Sequence, residues 1–60
     1  MTLEEARRIV ADEDASDPIA AIEAVALVVR FEAIANRRLL PVAEEMEAVA
    51  QRMKDRRVQG

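Results

Sequence analysis

The chain contains no cysteine, histidine, tryptophan or tyrosine, only one phenylalanine, one glycine and two prolines. Without cysteine it can form no disulfide, and without cysteine or histidine it cannot supply the usual zinc and transition-metal ligand sets. A Glu-x-x-His di-iron motif is excluded on the same ground. The common general bases and nucleophiles are also missing, which leaves carboxylates, Lys54, Ser16 and Thr2 for any catalytic role. No catalytic residue, cofactor or metal is therefore expected, and a non-enzymatic protein is the reading that follows. Long apolar runs are absent too. The longest uncharged stretch, Ala24 to Val29, is far too short to span a bilayer, so no membrane role is expected.

A length of 60 residues permits one domain, covering 1–60, and buries only roughly 60% of the surface that the unfolded chain exposes. Small chains usually compensate for so marginal a core with disulfides, a metal or a partner subunit, and only the last is open to this one. The balance of 12 acidic and 9 basic side chains, net −3, does not point to nucleic acid or an anionic membrane. Met1 leads into the charged run TLEEARR rather than into a basic start and an apolar stretch, so a cytoplasmic protein is expected.

The apolar period is helical throughout, with no alternation that would suggest strands. In the first helix, over residues 2–11, Thr2 and Glu5 form a capping box, and Leu3, Ala6, Ile9 and Val10 share a face. Asp12, Glu13 and Asp14 would oppose the dipole at its end. Ser16 or Asp17 caps the second helix, Pro18 takes its first position, and the helix is expected to run to Arg38, with a break at Leu39-Leu40-Pro41. Its apolar residues cover nearly the whole circumference, the pattern of a buried helix.

The third helix, over residues 41–57, carries Val42, Met46, Val49 and Met53 at spacings of four, three and four, with Ala43 and Ala50 widening the stripe into a bundle seam. The expected fold is all-α: a short N-terminal helix and a two-helix hairpin, forming an oligomeric bundle. A second helix of about 21 residues, roughly 30 Å long, is only half covered by the first. That leaves an apolar strip drawn from Ile22, Val25, Val29 and Ala33, or from Ala24, Leu27, Phe31 and Ile34. Ile22, Val25, Leu27, Val29, Phe31 and Ile34 of this strip, together with Val42, Met46, Val49 and Met53, are the candidate oligomer and partner interface. Glu23, Arg30 and Arg37 recur every seven residues, either as the face of this helix that meets water or as a charged stripe setting register with an antiparallel neighbour.

One stretch carries a function-specific pattern. In DEDASDPIAAIE, residues 12–23, Asp12, Asp14, Ser16 and Glu23 occupy the first, third, fifth and twelfth places of an EF-hand loop. The context fails. The sixth place is Asp17 followed by Pro18 rather than glycine, and the incoming helix offers Ala11, Arg8, Arg7 and Glu4 where apolar packing residues belong. An acidic turn that caps a helix explains the same residues, so calcium binding stands as a minor alternative.

Nucleic-acid binding is the runner-up class, through the basic end QRMKDRR. Against it, Glu44, Glu45 and Glu47 occupy the end of the third helix that a recognition helix would present to phosphates. Glu23 and Glu32 sit nine residues apart, about 180° around their helix, and cannot form one site within it. The expectation is a self-associating helical protein that binds another protein. Regulatory adaptors, antitoxins and phage accessory proteins share this size and charge, and no residue pattern selects among them.

Overall fold

The structure, a computed structural model, describes residues 1–12 and 17–59. It contains three α-helices, Leu3–Ala11 (α1), Pro18–Glu32 (α2) and Leu40–Gln59 (α3), with a single 3-10 turn at Arg37–Leu39 leading into α3. The described residues include no strand, so the all-α class read from the apolar period is observed.

Helix α1 starts where its cap places it. Thr2 is extended, and its hydroxyl accepts the Glu5 N–H at 3.2 Å, satisfying one of the donors that a helix start leaves free. The helix ends at Ala11, where the Asp12 N–H donates to the Ile9 carbonyl at 3.2 Å. Of the two capping candidates for α2, Asp17 fills the role. Its carboxylate accepts the N–H groups of Ile19 at 3.0 Å and Ala20 at 3.4 Å, and Pro18 follows at the first helical position. Ser16, and residues 13–16 of the EF-hand-like stretch, lie outside the described residues.

The end of α2 corrects the sequence reading. The helix stops at Glu32, six residues before Arg38, and the chain turns through Ala33–Ala35. Asn36 is extended, and its side-chain oxygen accepts the Arg38 N–H at 3.2 Å, which starts the 3-10 turn. Asparagine offers the backbone a local acceptor in place of the helical ladder, and here that competition decides where the helix ends. The expected break at Leu39-Leu40-Pro41 is absent. Leu40 is helical despite the proline after it, so α3 begins one residue early, with Pro41 still in the first turn where its missing donor costs nothing. At its other end α3 runs to Gln59 rather than stopping at 57.

Helix α2 lies between the other two. It packs against both α1 and α3, whereas no Cα of α1 comes within 8 Å of one in α3. The arrangement is open, 38 × 23 × 17 Å, and its radius of gyration of 11.8 Å exceeds the roughly 10.4 Å expected of a compact chain this long. Although α2 is apolar nearly all round, only Ile19, Ala24 and Ala26 within it are buried.

The core is built from the smallest apolar side chain. Ala6, Ala24, Ala26, Ala33, Ala43 and Ala50 are buried, and Ile19, 6% exposed, is the only larger side chain to join them among the described residues. Ala33 and Ala24, offered by the sequence as members of an open strip, are therefore closed off inside the chain.

Candidate functional site

Three cross-helix ion pairs set the register of the α2–α3 hairpin. Glu23 meets Lys54 at 2.9 Å and Asp17 meets Arg57 at 3.5 Å. Between Arg30 and Glu47 the contact is bidentate, with Nε donating to Oε2 and Nη2 to Oε1, both at 2.6 Å. The hydrogen bond and charge of Glu47 raise the Arg30 pKa further above its ordinary value. The same hydrogen bond holds the Glu47 carboxyl below its ordinary value, against a smaller opposing effect of burial.

Residue numbers in the Glu23–Lys54 and Arg30–Glu47 pairs both sum to 77, as antiparallel helices in one register require. The heptad stripe stays open to water, with the Glu23 and Arg30 side chains 36% and 46% exposed. Glu23 and Arg30 find partners in their own chain, and Arg37 falls in the 3-10 turn. A matching signal was present on α3, where Glu47 and Lys54 are also seven apart and carry the signs in the order an antiparallel partner needs.

That register also explains the alanines. It brings Ala26 level with Ala50 and Ala33 level with Ala43, all four buried. Two helices separated only by methyl groups approach at the short end of the usual interaxial range. The seam expected from Val42, Met46, Val49 and Met53 is consequently displaced. Ala43 and Ala50 occupy the contact line, and the larger side chains are turned to one side of it.

On that side, a groove between the helices is lined by Ala21, Ile22 and Val25 of α2 and by Met46 and Val49 of α3, with Glu45 at its border. Val29 continues the α2 row one turn beyond Val25. Val42 and Met53 continue the α3 row at either end, and Val42 is 42% exposed. Seven of the ten interface candidates share this face. The other three, Leu27, Phe31 and Ile34, lie around a second depression with Leu3, Arg30, Ala33 and Leu40, near the turn end of the hairpin. Phe31 is 46% and Ile34 79% exposed, and the Arg7 guanidinium sits 5.8 Å from the Phe31 ring centroid in a cation–π contact.

A further depression, along Ala26, Leu27, Ala50 and Gln51, is bordered by Glu23, Glu47 and Lys54. Among the described residues no polar or charged side chain is buried, and no three carboxylates converge as metal ligands would. The basic end of α3 is largely answered within the chain: Arg52 faces Glu45 at 3.6 Å, and Lys54 and Arg57 face Glu23 and Asp17. No described helix is long and apolar enough to cross a membrane. No protein-family model, curated protein or solved structure matches the chain.

Proposed function

We propose that this is a non-enzymatic helical protein that self-associates and, once assembled, acts by binding another protein. The observation that carries the reading is the inversion of its apolar residues. Alanines fill the interior, while Ile22, Val25, Val42, Met46 and Val49 form a continuous, incompletely buried face on the hairpin. A lone domain gains most by burying its largest apolar side chains, at about 25 cal/mol per Å². Here that gain is available only from a second surface.

Area points the same way. A monomer of 6.7 kDa is expected to expose roughly 3,900 Å², and this chain exposes 4684 Å². Glu44, Glu45 and Glu47, at the end of α3 that a recognition helix would present to phosphates, favour this reading over nucleic-acid binding.

Sedimentation equilibrium across micromolar concentrations is the direct test. A dimer or larger species is expected, with a melting temperature that rises with protein concentration because folding and assembly are linked. A folded monomer whose melting ignores dilution would refute the proposal.

A further inference from the structure

We propose that the partner on this face is a second copy, docked about a two-fold axis that crosses α3 near the level of Val49, with the two α3 helices antiparallel and Glu45 of each copy facing Arg52 of the other. This rests on the self-association reading and specifies its geometry. A face-to-face dimer with two-fold symmetry can be built in two ways. If the axis runs along the helices, α3 lies on the partner's α2; if it runs across them, α3 lies on the partner's α3.

The hairpin register decides between them. An axis along the helices leaves every residue at its own level, so α3 would meet the partner's α2 in the register that sums to 77. Glu45 would then lie level with the partner's Glu32, two exposed carboxylates against each other. Like charges placed so are a cost, only partly relieved by the loose contact of Arg52 with Glu45 in the same chain.

An axis across the helices has no such conflict, because the level at which it crosses is free. Glu45 and Arg52 lie two turns apart along the outer border of the apolar row, with Val49 between them. Antiparallel α3 helices centred there bring each Glu45 level with the partner's Arg52, and symmetry makes the contact twice. The same level brings Val42 within about one turn of the partner's Met53, so the two ends of the row cover each other. Within the chain the Glu45–Arg52 pair is loose, at 3.6 Å with side chains 75% and 65% exposed, and little is lost on exchanging it for the intersubunit pair.

Two measurements test the geometry. In sedimentation equilibrium at low salt, Glu45→Arg and Arg52→Glu should each weaken the dimer by about tenfold or more, since each sets like charges across the axis twice. Mixing the two variants should recover a tight heterodimer. In the second measurement, a spin label is attached through Arg56→Cys, a unique thiol in this chain. Antiparallel α3 helices place the label level with the partner's residue 41, about 22 Å away along the axis and about 25 Å overall. The alternative dimer holds the two labels at one level, roughly 14 Å apart across a four-helix bundle. A dimer that keeps its affinity in both charge variants, or that shows the short distance, overturns this geometry while leaving self-association standing. A parent chain that is monomeric throughout overturns both.

Discussion

Replacing Ala50 by leucine probes the packing between α2 and α3. Ala50 is buried on the hairpin seam, and the ion-pair register sets it level with Ala26, itself buried. Leucine adds three carbon atoms where two backbones are separated by methyl groups, and the helices must either part or hold the side chain off its rotamer. Overpacking of this kind costs typically about 1–3 kcal/mol. For 60 residues the unfolding entropy near the midpoint is about 125 cal/mol/K, so the melting temperature should fall by about 8–24 °C. Circular dichroism melts of parent and variant at several matched protein concentrations measure the shift and separate it from any change in assembly. Ala48→Leu, exposed and two residues away around the helix, is the control and should stay within about 0.5 kcal/mol of the parent. If Ala50→Leu melts within about 3 °C of the parent, the helices are not in contact through alanine, and the account of why valine and methionine face outward fails with it.

Asp17→Ala should lower stability by about 1 kcal/mol, because it removes the acceptor for the Ile19 and Ala20 amides at the start of α2; Asp17→Asn, which keeps an acceptor oxygen, should recover most of that loss in the same melts. Glu47→Gln should change the acid dependence of stability. The folded-state pKa of Glu47 is depressed by Arg30, so its contribution is fully present above the ordinary carboxylate value and is lost as pH falls through the depressed one. The melting difference between parent and variant should therefore be widest near neutrality and close on acidification. A difference that stayed constant down to the lowest pH would show that the Arg30 contact contributes nothing through charge.

Where local chemistry decides, the sequence was readable. Thr2, and Asp17 with Pro18, mark their helix starts through backbone donors, and these effects depend on a few adjacent residues. Asn36 is equally local, but it lies in a run of good helix formers ahead of a conspicuous proline, and its signal is the weaker of the two although it governs the turn. Within the α3 stripe the contact line follows Ala43 and Ala50 rather than valine and methionine for a different reason. Hydrophobicity ranks valine and methionine above alanine, whereas the contact line between helices is set by how closely their backbones can approach, a property of two helices together. Sequence did indicate that the chain leaves apolar surface open. It did not divide Ile22, Val25 and Val29 from Leu27, Phe31 and Ile34, because that division depends on which sides of α2 the neighbouring helices take.

Because the Cα atoms of α1 come within 8 Å of α2 but not of α3, α1 can leave the chain's other two helices without parting them from each other. The hairpin carries the alanine contact line and all three cross-helix ion pairs, whereas α1 adds one small buried side chain, Ala6, and two half-buried ones, Leu3 and Ile9. Detaching α1 therefore breaks none of the hairpin's internal contacts, and its free energy is a fraction of that for global unfolding. The amide protons of α1 should exchange with solvent through this partial opening, well ahead of those along α2 and α3. In refolding the order reverses: the hairpin closes over a short connection, and α1 settles onto the exposed flank of α2 last.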